Sequence, residues 1–84
     1  MAFAVHWSDS ATEALAEAYL TDPQPNDVTY ADRRIQELLT RDPFAGEYLS
    51  EGLWVLKVPP LRVNYEVVRD TREVKVSDAF HVRK

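Results

Sequence analysis

Six polar side chains near the C-terminal end of this 84-residue sequence have the types and spacing to do chemistry together: Lys57, Arg62, Asn64, Glu66, Lys75 and His81. They punctuate three runs rich in valine and aromatics, 53–58, 61–68 and 73–82, which read as β-strands. Side chains alternate across a strand, so parity assigns faces. Leu61, Val63, Tyr65 and Val67 share one face, and Arg62, Asn64 and Glu66 the other. Trp54, Leu56 and Val58 oppose Leu53, Val55 and Lys57. Val74, Val76, Phe80 and Val82 oppose Lys75, Ser77 and His81. One sheet face is therefore apolar, and the other is polar with a cationic bias. Such a face suits an anionic ligand. A histidine within it suits proton donation, because the unperturbed imidazole titrates near pH 6.5.

The rest of the chain must hold that sheet. Phe3, Val5 and Trp7 alternate with Ala4 and His6, a first strand. Ser10 and Glu13 have capping-box spacing, and Ala11, Ala14, Leu15, Ala18 and Tyr19 follow at helical intervals to about Leu20. Asp22-Pro23-Gln24-Pro25 stops this helix, since proline lacks an amide hydrogen and restrains its predecessor. Asn26 or Asp27 can cap a second helix, whose stripe is Val28, Ala31, Ile35, Leu38 and Leu39. Asp42-Pro43 closes it, and 44–52 reads as a loop. Pro59-Pro60 and 69–72 make the later turns. The expectation is a single α+β domain over 1–84, ordered β-α-α-β-β-β. A helical hairpin packs on one face of a small antiparallel sheet, with the first strand antiparallel beside 53–58.

Composition narrows the classes. A chain this short has one thin core, and 45% hydrophobic with 29% charged residues is an ordinary globular balance. There is no cysteine, which removes disulfides and thiolate metal sites. Two histidines near opposite ends, without clustered ligand spacing, disfavour a metal centre, and no cofactor motif is present. The start of the chain lacks a signal-peptide pattern, and no apolar run is long enough for a bilayer. A cytoplasmic location and no membrane partner are expected. Net charge is −4, but unevenly spread: residues 1–50 carry three basic and nine acidic side chains, and 51–84 carry seven basic and five acidic.

The runs Gly52-Leu53-Trp54-Val55-Leu56-Lys57-Val58, Leu61-Arg62-Val63-Asn64-Tyr65-Glu66-Val67 and Val74-Lys75-Val76 resemble the RelE/ParE superfamily of toxins. So do Trp7-Ser8 before the first helix and Leu39-Thr40-Arg41-Asp42-Pro43 after the second. The resemblance spans almost the whole chain and implies the toxin of a type II toxin–antitoxin pair, with a cognate antitoxin as partner. Within that superfamily it is nearest in pattern to the ribosome-dependent mRNA endonucleases of the RelE and YoeB kind. By that resemblance Glu47 falls where a general-base glutamate is proposed, and Arg62 matches the arginine on the scissile phosphate. Lys57 lies near a basic strand position, and His81 near the general-acid histidine. Lys75, Arg83 and Lys84 would be further RNA contacts, and ribosome and mRNA would be the targets.

The chain departs from such nucleases in two ways. Its isoelectric point is near 5.0, and Val82 stands where an aromatic often follows the histidine to stack on a base. Phe80 falls on the opposite face by parity. The alternative functions are a ParE-like inhibitor of DNA gyrase, acting through protein contacts and indifferent to His81, and a non-catalytic binding module. Plain structural roles compete at single residues: Arg62 with Glu66 as a surface ion pair worth about 0–1 kcal/mol, Lys57 and Lys75 as protection of a sheet edge. Free edges on so small a sheet also leave room for a homodimer.

Overall fold

The computed structural model describes residues 2–82. Strand β1 (Ala4–Trp7) leads into helix α1 (Asp9–Thr21) and helix α2 (Pro25–Arg41). A short 3₁₀ turn (Pro43–Ala45) precedes strands β2 (Glu47–Ser50), β3 (Leu53–Val58), β4 (Leu61–Val68) and β5 (Glu73–His81). The five strands form one sheet in the order β1-β5-β4-β3-β2. Both helices lie on the same face of it, α1 chiefly over β5 and α2 reaching β1, β3 and β4.

The helical stripes do what their spacing predicts. Ala11 and Ala18 of α1, with Val28, Ala31, Ile35 and Leu39 of α2, are buried against Leu56, Leu61, Val63, Tyr65, Val74, Val76 and Ala79 of the sheet. The alanines let α1 approach β5 closely, because a small side chain keeps two backbones near each other. The start of α1 differs from the expected box. Ser8, not Ser10, is the cap: its Oγ accepts from the Ala11 amide at 3.0 Å. Asp22 ends the helix and turns the chain, its Oδ1 accepting from the Gln24 amide at 2.7 Å.

Two expectations about the sheet are corrected. Residues 47–50, read as loop, form β2, joined to β3 by the two-residue turn Glu51-Gly52. Both turn residues have positive φ (52° and 83°), the twist a tight hairpin needs. Glycine meets that requirement freely and glutamate does not, which is why the sequence signal was weak. Because β2 takes the outer edge of β3, β1 cannot sit there. It pairs instead with β5, in parallel, from Ala4↔Glu73 to Trp7↔Val76. The sheet is therefore mixed rather than antiparallel.

A third departure lies inside β5. Tyr65 pairs with Val76 but Asn64 pairs with Asp78, so Ser77 is an extra residue, a β-bulge. The Ser8 hydroxyl donates to the Ser77 carbonyl at 2.8 Å, and the Ser8 amide donates to the Val76 carbonyl at 2.9 Å. Thus the residue that caps α1 also grips the bulge.

Tyr65 ties the other end together. It is fully buried, and its hydroxyl donates to the Pro43 carbonyl at 2.6 Å. Gly46 lies so close that a Cβ there would strike the Tyr65 ring and come within 2.5 Å of the Val55 carbonyl oxygen. Burial pushes the phenol up from 10.0 to about 12, opposed in part by a hydrogen bond from the Gly46 backbone. The neutral phenol is the form that folding favours. Its contribution is complete below pH 10 and is lost as pH rises from 10 to about 12, about 3 kcal/mol in all at roughly 1.4 kcal/mol per unit. Tyr65→Phe should flatten that alkaline loss in urea titrations. At pH 7 it should cost about 1–2 kcal/mol, because the Pro43 carbonyl loses its donor.

Candidate functional site

The sheet face away from the helices gathers the polar residues, and strand register locates them without reference to side-chain conformation. Residues paired in register share a face. Lys57 pairs with Arg62, and Arg62 with Phe80, making one row across β3, β4 and β5. Glu47 pairs with Val55, Val55 with Asn64, and Asn64 with Asp78, making the adjacent row. Leu53, Glu66, Lys75 and His6 make the next.

Arg62 is the centre of the first row. Its guanidinium carbon sits 4.5 Å from the centroid of the Phe80 ring, a cation–π contact. Among the described residues no carboxylate lies within 4.0 Å of Arg62, Lys57 or Lys75. The Arg62–Glu66 surface pair is thus not formed. Nε of Arg62 and Oδ1 of Asn64 are buried without a hydrogen-bond partner. Native structures rarely leave such atoms unsatisfied. Phe80 itself is 39% exposed, a ring open to solvent beside Arg62, with Lys57 one strand beyond.

The bulge at Ser77 reverses the parity of everything after it. Phe80, assigned to the core side by simple alternation, is on the outer face. His81, assigned to the outer face, is on the helix side. There its Nε2 lies 2.6 Å from Oδ2 of Asp22, with the histidine side chain 19% and the aspartate 6% exposed. His81 therefore does not join Lys57 and Arg62. It bolts the end of β5 to the turn between α1 and α2. Glu47, Lys57, Arg62 and Lys75 do share the outer face, Glu47 because β2 brings it there. Arg83 and Lys84 lie outside the described residues.

Asp78 is the residue sequence reasoning missed, and a signal for it existed. Counting by twos from Val74 and Val76 arrives at Asp78, a carboxylate on the parity assigned to the core. A charge there contradicts uninterrupted pairing and marks the bulge. With Asp78 and Glu47 added and His81 removed, the outer face is no longer biased to the cationic. Three basic side chains (Lys57, Arg62, Lys75) stand beside four acidic ones (Glu47, Glu66, Glu73, Asp78), and two of the three cations fall in the Lys57–Arg62–Phe80 row.

At the β1 edge of the same face, His6 Nε2 lies 3.2 Å from Oε2 of Glu73. The Thr71 hydroxyl donates to Glu73 at 2.7 Å and, with His6 and Lys75, holds its carboxyl below the usual range. Among the described residues no three histidine, aspartate or glutamate side chains gather to hold a metal ion, and no helix is long and apolar enough to cross a membrane.

No family model and no curated protein matches the chain in sequence. Solved structures do match. The toxin–antitoxin complex RelBE2 of Mycobacterium tuberculosis has a chain similar at TM-score 0.80 and 18% identity, over 96% of this chain and 99% of that one. The chain has the fold of the RelE and ParE toxins. A YoeB/ParE toxin of Agrobacterium tumefaciens is similar at TM-score 0.69 and 21% identity, covering 96% of this chain and all of that one. A chain of the chromosomal ParDE system of P. aeruginosa reaches 0.68 at 14% identity, over 96% and 97%. RelE-like and ParE-like structures thus share this backbone, and a shared fold does not choose between their activities.

The placement of His81 has a direct consequence. His81→Ala should remove the 2.6 Å contact at Oδ2 that ties the end of β5 to the buried Asp22 carboxylate, and cost about 1.5–3 kcal/mol in urea unfolding. Phe80→Leu, on the open face, should cost less than about 1 kcal/mol by the same measurement.

Proposed function

We propose that this chain is the toxin of a type II toxin–antitoxin pair and that its outer sheet face binds and cleaves RNA, as the ribosome-dependent mRNA endonucleases do. The observation that carries the reading is the Lys57–Arg62–Phe80 row. An RNA strand offers phosphates and unstacked bases. Recognition of single strands combines cations on the backbone with aromatic rings under the bases. Arg62, held against Phe80 and free of carboxylate partners among the described residues, suits a phosphate contact. Lys57, its register neighbour, adds a second cation. The exposed Phe80 ring supplies the stacking surface that Val82 cannot. In the transition state the same two cations would neutralise charge growing on the phosphorane oxygens.

The partner in this reading is a cognate antitoxin covering the Arg62 face or its approach. Two of the similar structures are described as toxin–antitoxin complexes, RelBE2 of Mycobacterium tuberculosis and RelBE of E. coli, and another as a RelE–RelB complex of Pyrococcus horikoshii. A second reading draws on one observation. With His81 on the helix side, the outer face lacks the imidazole acid inferred by resemblance, as suits a toxin that binds gyrase instead.

Induced expression separates the two. Wild-type chain should arrest growth and create new mRNA 5′ ends. Arg62→Ala should lower cleavage by about 10²-fold or more, while His81→Ala, at a temperature where it stays folded, should keep most of it. Arrest by Arg62→Ala without new 5′ ends, together with inhibited supercoiling, would move the assignment to gyrase.

A further inference from the structure

We infer that Asp78 is the general base of the RNA-cleaving reaction proposed above, on which this inference rests, and that Glu47 is not. The base must reach the 2′-hydroxyl next to the phosphate that Arg62 holds. Asp78 is two positions from Phe80 on the same face of β5, and Phe80 is the register partner of Arg62. That makes Asp78 a diagonal neighbour of Arg62, at about 7–8 Å between backbones. Glu47 pairs with Val55 and stands two strands from Arg62 and two positions along, roughly 12 Å away at about 4.8 Å per strand and 3.3 Å per residue. Glu66, four positions along β4 from Arg62, is roughly 13 Å away.

The other carboxylates near the sheet are engaged. Asp22 is bound to His81, and Glu73 to Thr71 and His6. Asp78 is exposed, and among the described residues it is in no ion pair. Its register partner is Asn64, whose buried Oδ1 has no hydrogen-bond partner, and Nε of the adjacent Arg62 also has none. Two buried polar atoms beside Asp78 and Arg62 thus lack a hydrogen-bond partner, a local shortfall that native structures rarely carry without a functional reason.

The step balances without any other reagent. The Asp78 carboxylate takes the 2′-hydroxyl proton as the 2′-oxygen bonds to phosphorus. The bond from phosphorus to the 5′-oxygen breaks, and that oxygen takes a proton from the Lys57 ammonium. The products are a 2′,3′-cyclic phosphate and a 5′-hydroxyl end, while Arg62 holds the charge between them.

The test is single-turnover cleavage of mRNA on programmed ribosomes by the full chain, with binding measured on mRNA carrying 2′-deoxy residues at the cut site. Asp78→Asn, nearly isosteric at an exposed position, should bind within about threefold of wild type and cleave about 10²–10⁴-fold more slowly. Asp78→Glu should recover part of the rate, and Glu47→Gln should lose less than about tenfold. Cleavage by folded Asp78→Asn within about threefold of wild type would overturn the assignment alone. Products of the wild type without a cyclic phosphate would do the same. Absence of any cleavage by folded wild type on ribosomes would overturn both the assignment and the nuclease reading.

Discussion

One inserted residue in β5 determines which side chains this protein shows to solvent. At Ser77 the strand takes an extra step, and every residue beyond it changes face. The hydroxyl of Ser8 fixes the place by serving two structures at once. It accepts from the first turn of α1 and donates to the bulged carbonyl. An isolated bulge is free to migrate along a ladder of otherwise equivalent bonds. This one is pinned, because moving it would break the bonds from the Ser8 hydroxyl to the Ser77 carbonyl and from the Ser8 amide to the Val76 carbonyl. The parallel pairing of β1 with β5 delivers Ser8 to that point.

The second fixed point is Tyr65, on the neighbouring strand and one position from the bulge. Its hydroxyl holds the 3₁₀ turn after α2, and the absence of a side chain at Gly46 lets that turn press against β3 and β4. From there the chain can only run along the edge of β3, which makes β2 and brings Glu47 to the outer face. Its neighbours extend the anchorage: Trp54 stacks near Tyr65, and Phe44 packs edge-on against Trp54 and Phe3. Arg69 closes over the Phe44 ring at 4.6 Å. The two anchors act on one strand pair, so the outer face of β4 and β5 is set from the helix side by groups that never touch it.

Most of the architecture was legible in the sequence because it depends on periodicity. Two stripes of period 3.6 and three runs of period 2 survive in any packing that buries them, and the core follows. What was not legible depends on a single residue breaking a period. Glu51 occupies a left-handed position that glycine or asparagine would have announced, so β2 was hidden. Ser77 is small and polar, unremarkable in an exposed strand, so the bulge was visible only through Asp78 on the wrong parity. Of the four residues first drawn together for catalysis, the structure keeps Glu47, Lys57 and Arg62 on one face. His81 left it because parity was carried through a residue where it does not hold.

The charge of the molecule takes on a different meaning once the layers are known. Six of the nine carboxylates of residues 1–50 lie in the two helices, and the helical layer stands about 10 Å from the sheet, as packed layers do. At physiological ionic strength the screening length is about 8 Å, so those carboxylates weigh little on the outer face. What matters there is local: three cations and four carboxylates, with Lys57 and Arg62 adjacent at one end and Arg62 against an open aromatic ring. Such a face cannot gather RNA by counterion release, because few phosphates would be neutralised at once and the salt dependence would be shallow. It suits a strand presented to it in a fixed path, where one phosphate and one base are held by position. An acidic chain is thus compatible with RNA chemistry on condition that another body, such as the ribosome, brings the strand to the site.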